Sequence, residues 1–342
     1  MFDDALLDDP AALAAADPLL RSLAEAGARV RREVDSTAAE VAELSADTPP
    51  RAVVVAGTDS RLLRAVLEPW CPVPFVAWPG PGLPGWAGTW DTVLVLAQTP
   101  GDLIASTAIA EAVRRGCGLV VTCDPYSPVA EVAAGRHSCV LPTTTGDPLA
   151  AAVVMLVALH RLGLGPELDP EAVAAALDDV AVWCSPFRDI VANPAKETAL
   201  LLGDANPLLW GGSVLAARAA RRVAESIRRV SGRSALAADA EHLMPVLATT
   251  DLRDVFADPL GDESVASARP ALVILDDGTQ GSAVREQRGR LVASATRHEV
   301  RVHTLTCDAG PEVARYASLL LQGSYAAAYL GVGLGSAASG DG

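Results

Sequence analysis

Three short loops collect the residues of this chain best suited to hold a small polar ligand. They are Gly57-Thr58-Asp59-Ser60, the stretch from Ala97 to Asp102, and Thr122-Cys123-Asp124. Each follows a valine- or leucine-rich run that reads as a buried strand, and in a parallel α/β sheet ligands sit beyond the carboxyl ends of the strands. Gly57 lets backbone come close to a ligand, Ser60 and Thr99 offer hydroxyls, and helices expected after the loops offer N-terminal dipoles. That combination suits a phosphate or another compact anion. Thr58, Asp59 and Ser60 equally suit a plain helix cap, and the sequence leaves both readings open. None of these loops carries G-x-G-x-x-G, and no G-x-x-x-x-G-K-[ST] occurs in the chain, which speaks against a dinucleotide site or a P-loop.

The elements that must position these loops follow from hydrophobic period. Residues 1–48 read as a helical extension, with Asp17-Pro18 opening a helix and Pro49-Pro50 ending the segment. Strands are then expected at Ala52–Ala56, Thr92–Leu96, Leu119–Cys123 and Ser138–Leu141, with helices after the first two and another near 147–162. Gly163 to Pro166 breaks the pattern, and a helical connector covers 166–206. Strand–turn–helix alternation resumes with Leu208–Trp210, Gly211-Gly212-Ser213 and a helix over 214–229, then strands at Ala271–Leu275 and Val300–Leu305 and a closing helix over 312–329. The halves read as one plan used twice, each ending its third strand in Thr-Cys-Asp, at 122–124 and 306–308. The expected division is 1–48 extension, 49–165 first domain, 166–206 connector, 207–332 second domain and 333–342 flexible tail. The expected class is α/β, with parallel sheets flanked by helices.

Composition narrows the function. Of 342 residues, 50% are hydrophobic and only 4% aromatic, a mix that packs helices on parallel sheets, and the length exceeds what one core usually serves. A net charge of −15 argues against a broad nucleic-acid surface. Mean hydropathy is positive, yet the best apolar run, Leu149 to Leu159, is well short of a membrane span, so no membrane partner is expected. The acidic start MFDDALLDDP is unlike a secretory signal, which makes the cytoplasm the expected location. The six cysteines form no C-x-x-C pair and read as small buried hydrophobes rather than a zinc or disulfide framework.

Two further stretches, Asn193-Pro194-Ala195-Lys196-Glu197 between the halves and Ala240-Glu241-His242 in the second, complete an order of elements that resembles a known family. Over residues 50–330 the chain resembles the bifunctional phosphoglucose/phosphomannose isomerases and, more closely, the actinobacterial SIS-domain proteins labelled TobH. The resemblance implies two tandem SIS-type domains working as a homodimer on a phosphorylated sugar, with no metal or redox cofactor. The implied reaction is aldose–ketose isomerisation of a hexose 6-phosphate (glucose, mannose or fructose 6-phosphate) through a cis-enediol.

On that resemblance Gly57, Thr58 and Ser60 stand in the family's Gly-Gly-Ser turn, and Thr99 and Gly101 remain from its S-Y-S-G-N-T phosphate loop. Glu225 matches the enediol base and His242 the ring-opening histidine contributed across the dimer. The bland alternatives are a solvated Glu225 among Arg221, Arg222, Arg228 and Arg229, and a structural His242. The other histidines, His137, His160, His298 and His303, lack any such context.

Departures from the family are plain. Asp102 brings a negative charge into the phosphate loop, and Asp147-Pro148-Leu149 replaces a Pro-Arg pair. The family's C-terminal lysine is absent; Lys196 is the only lysine, and Arg315 is the nearest substitute charge. These departures open a rival reading, a sugar-phosphate-binding regulator or partner subunit that kept the fold and lost the catalysis.

Overall fold

Val53, Val54 and Val55 are almost wholly shielded from solvent, as expected of a strand covered on both faces. Burying one such side chain contributes about 1.5–3 kcal/mol, so a run of this kind commits the chain to a sheet interior. The computed structural model describes residues 1–45, 48–250 and 269–336, and its contacts divide the chain into two units. One unit comprises Ala26–Ala175; the other joins Met1–Glu25 to Ala176–Gly342.

In chain order the elements open with α1 (Pro10–Ala15) and α2 (Asp17–Ala24). The first-sheet unit then follows: α3 (Ala26–Ser36), α4 (Ala38–Glu43), β1 (Ala52–Ala56), α5 (Ser60–Leu67), β2 (Phe75–Trp78), β3 (Asp91–Ala97), α6 (Leu103–Arg115), β4 (Gly118–Cys123), α7 (Pro128–Ala133), β5 (Ser138–Pro142) and α8 (Pro148–Arg161). The unit boundary falls within α9 (Pro170–Trp183). Beyond it come α10 (Pro194–Leu202), β6 (Asn206–Gly211), α11 (Val214–Ser231), β7 (Leu236–Ala237), α12 (Ala240–Ala248), β8 (Pro270–Asp276), α13 (Ser282–Arg297), β9 (Arg301–Thr306) and α14 (Glu312–Gly333).

All strand pairs are parallel, in the order β2-β1-β3-β4-β5 for the first sheet and β7-β6-β8-β9 for the second. The second order repeats the first with one edge strand fewer, so the internal repeat legible in the sequence is a repeat of topology. The fold is α/β, two parallel sheets flanked by helices and preceded by a helical N-terminal region. Winding reverses between β1 and β3 and again between β6 and β8, and at such a switch point the outgoing loops part and leave a crevice. The Val54, Val93 and Val121 side chains core the first sheet against α6; Leu208, Leu272 and Ile274 core the second against α12 and α13.

The helical N-terminal region does not act as one piece. Glu33 on α3 is fully buried, and its carboxylate accepts the backbone N–H groups of Thr144 (2.8 Å) and Thr145 (2.5 Å). Arg29 pairs with Asp147 at 2.7 Å beside it, so α3 belongs with the first sheet. Residues before it belong with the second. The Asp3 N–H donates to the Gly333 carbonyl (2.7 Å), and Lys196 reaches Asp8 at 2.7 Å.

Two edge strands, β2 and β7, escape the sequence pattern. β2 is four residues bounded by Pro74 and Pro79, and β7 has only two. A G-x-G-x-x-G spacing does follow β2, at Gly80 to Gly85, but Pro81 and Pro84 lie inside it and the segment runs to β3 through turns. With no helix N-terminus behind it, that spacing offers no seat for a pyrophosphate. Of the tail expected over 333–342, Gly333 closes α14, and residues 337–342 lie outside the described residues.

Candidate functional site

The β1–α5 turn lies at the first switch point. Gly57 takes a left-handed φ of 98°, and its N–H donates to the Trp78 carbonyl at 3.1 Å, which places the end of β2 beside the turn. Thr58 is exposed, whereas Ser60, in the first turn of α5, is 1% exposed and its hydroxyl has no hydrogen-bond partner. The neighbouring β3–α6 loop holds Thr99 and Gly101 at the surface, Gly101 with φ 77°. Beneath it Gln98 Nε2 donates to the Thr122 carbonyl (3.0 Å) and to the Thr143 hydroxyl (2.9 Å), which fixes the floor between β3, β4 and β5.

Asp102 decides what this crevice can hold. It is the N-cap of α6, and its Oδ1 accepts the N–H groups of Ile104 (2.9 Å) and Ala105 (3.1 Å). Its Oδ2 accepts the Thr58 hydroxyl at 3.4 Å, joining the two loops. An exposed helix start attracts anions through unpaired N–H groups and the helix dipole. Here a carboxylate of the protein itself takes those donors. The sequence reading took Asp102 as a charge in this loop; neither its capping of α6 nor its position against Thr58 was read.

The second switch point is built from Gly211-Gly212-Ser213 after β6 and Asp277 to Gln280 after β8. Gly211 is obligatory, because an added Cβ would sit 2.2 Å from the Ala216 backbone. The Ser213 hydroxyl accepts the Ala216 N–H (3.0 Å) as N-cap of α11 and donates to the buried Asp277 carboxylate. Arg315 donates to the Asp277 carbonyl at 2.7 Å, and Arg288 pairs with Asp276. A cavity of about 160 Å³ lies between these loops, bordered by Gly212, Thr279, Gln280, Arg285 and Arg288. Its two arginines face two carboxylates, so it is close to balanced in charge. Ser213, Asp277 and Arg288 carry no role in the sequence reading, because their pairing spans distant stretches of chain.

Glu225 lies on α11, twelve residues past Ser213 and so about 18 Å down the helix from the β6 loop. It is half-buried and accepts from Arg222 at 3.0 Å. His242 is exposed in the first turn of α12. Arg221 pairs with Asp239, the N-cap of α12, at 3.5 Å, which sets this stretch of α11 beside the start of α12. Glu225 and His242 therefore lie on adjoining elements, and neither borders the switch-point cavity. Lys196 is structural: its ammonium is fully buried, donating to Asp8 and to the carbonyls of Pro186 (3.1 Å) and Arg188 (2.9 Å). A larger groove of about 750 Å³ opens at the amino ends of β3, β4 and β5, opposite the ligand-facing edge.

Residues 191–338 match the family model of the bacterial phospho-glucose isomerase C-terminal SIS domain. Those residues are an SIS domain. Three solved structures show the same fold along nearly the whole length of the chain. A glucose-6-phosphate isomerase like protein from Thermus thermophilus is 17% identical, covering 97% of this chain and 93% of its own, with a TM-score of 0.59. The C-terminal domain of glucosamine-fructose-6-phosphate aminotransferase from Francisella tularensis is 12% identical, covering 93% and 96%, at 0.63. Tagatose-6-phosphate ketose/aldose isomerase from Escherichia coli is 14% identical, covering 94% and 91%, at 0.53. At such identities the likeness is one of fold. No curated protein matches the chain in sequence. Among its described residues no helix is long and apolar enough to cross a membrane.

Proposed function

We propose that this SIS protein binds a sugar ligand as a regulator or partner subunit and does not isomerise it. The observation that carries the reading is the Asp102 carboxylate on the first N–H groups of α6. The donors that a phosphosugar isomerase would turn to its substrate's phosphate are consumed within the protein. Fold similarity to isomerases does not restore them, since activity resides in the site. A homodimer is part of this proposal, and a concentration-independent monomer mass in solution refutes that part.

One observation favours the second reading, aldose–ketose isomerisation of a hexose 6-phosphate through a cis-enediol. The Arg221–Asp239 pair brings Glu225 and His242 onto adjoining elements, where a carboxylate base and an imidazole could share a substrate. Proton NMR of fructose 6-phosphate with the protein in deuterated water separates the two. No deuterium at C1 or C2, at high protein concentration, is the result expected. Incorporation that disappears in Glu225→Gln would establish the isomerase instead.

A further inference from the structure

We propose that the cavity at the second switch point is a binding site of its own, taking a small organic carboxylate of one negative charge on Arg285 and Arg288. It is separate from both readings above and does not depend on whether the protein isomerises a sugar. The cavity itself is the first observation. Its volume is about 160 Å³; Trp210, which is 3% exposed, Ile274 and Val284 give it an apolar wall, and Thr279, Gln280 and the two arginines a polar one. Apolar surface with a few placed polar groups is the usual make-up of a small-ligand site. The volume lies well below the roughly 300–1,000 Å³ of pockets that enclose drug-sized molecules, so the guest is compact.

The acceptors around it are spent. Asp276 Oδ1 accepts the Gly278 N–H (3.0 Å), and its Oδ2 accepts from Arg288. Asp277 Oδ1 accepts the Thr279 N–H (3.2 Å), and its Oδ2 accepts the Ser213 hydroxyl. Each of the four carboxylate oxygens already has a donor, so these groups hold the loop together rather than await a cation. The donors are not spent. Arg285 and Arg288 stand three residues apart on α13 and so share a face of the helix. Arg288 gives one Nη1 to Asp276, and Arg285 has no hydrogen-bond or ion-pair partner among the described residues.

The remaining guanidinium N–H groups can clasp the two oxygens of one planar anion, the geometry that the arginine fork matches. Charge then selects the guest. Two arginines against two aspartates leave the border near neutral, and Arg315 and Asp308, both beside Gly278, offset one another. A carboxylate adds one negative charge to that balance. A phosphate dianion adds two, where partial burial weakens the screening by solvent and salt. The Thr279 hydroxyl and the Gln280 amide can bond a hydroxyl or carbonyl on the guest, and the apolar wall takes a short carbon chain.

The test is calorimetric titration of the full chain at low salt with lactate, with glycerol as an uncharged molecule of similar size, and with inorganic phosphate in mildly alkaline buffer, where it is mostly a dianion. It is repeated on Arg285→Gln, which removes the charge of an exposed side chain with no partner to lose, and on Gln280→Glu, which adds a negative charge to the border. The wild type should bind lactate at least about tenfold tighter than glycerol, and phosphate more weakly than lactate. Each variant should weaken lactate by about tenfold, the loss expected for one charge-assisted hydrogen bond. Absence of lactate binding overturns the proposal, as does tighter binding of glycerol or phosphate. So does lactate affinity that is unchanged in variants melting as the wild type does. The deuterium experiment judges the isomerase question separately, since neither Glu225 nor His242 borders this cavity.

Discussion

Replacing Lys196 by methionine probes the tie that fastens residues 1–25 to the second sheet's unit. The ammonium is fully buried, lies 5.6 Å from the Tyr329 ring centroid, and donates to Asp8 (2.7 Å), Pro186 O (3.1 Å) and Arg188 O (2.9 Å). Methionine keeps most of the volume, so the loss is electrostatic. Hydrogen bonds from a charged donor contribute about 1.5–3 kcal/mol each, and the released carbonyls are only partly shielded, which suggests about 2–4 kcal/mol for the variant. Asp8 is a weaker partner because its side chain is 53% exposed, and Asp8→Asn should cost only about 1 kcal/mol. Urea unfolding followed by circular dichroism, with hydrogen exchange on the α10 and α14 amides, reads both. A loss below about 0.5 kcal/mol in Lys196→Met, or a larger loss in Asp8→Asn, would refute the view that backbone carbonyls hold this lysine in place.

Gly333→Ala would put a methyl 2.2 Å from the Phe2 ring, so that ring must leave its seat, costing about 1–3 kcal/mol; Phe2→Ala in the same chain should recover part of the loss by thermal melts. Burial pushes the Cys184 thiol up from 9.0 to about 12, so it should resist alkylation at pH 8 in the native state and react on unfolding. Because the raised value belongs to the folded protein, its contribution to stability is whole below pH 9 and is lost as pH rises towards 12; Cys184→Ala should flatten that alkaline fall.

The sheet interiors were readable because valine runs such as Ala52–Ala56 bury both faces and need no other signal. Their edges were not. Phe75–Trp78 is too short for period to show and lies between prolines, and Leu236–Ala237 is shorter still. The cysteines divide as composition cannot foresee: Cys117, Cys123 and Cys184 are buried, whereas Cys71, Cys139 and Cys307 are half-exposed. At the candidate site, Asp102 announced a charge but not its partners. The Ser213–Asp277 and Glu33–Thr144 bonds join residues far apart in sequence, which no local pattern encodes. The same holds for the division of the helical N-terminal region. α2 and α3 both read as amphipathic helices, and the partners of Glu33 and Lys196 tell the two segments apart.

That division sets an order of events during synthesis. The unit formed by Ala26–Ala175 is one unbroken stretch and can complete its sheet while later residues are still being added. The other unit cannot. Phe2 and Asp3 precede that stretch in the chain, yet the glycine they seat on, Gly333, follows it at the end of α14. Until α14 is made, α1 and α2 have no partner for their apolar faces, and a chaperone or a stalled chain would meet them uncovered.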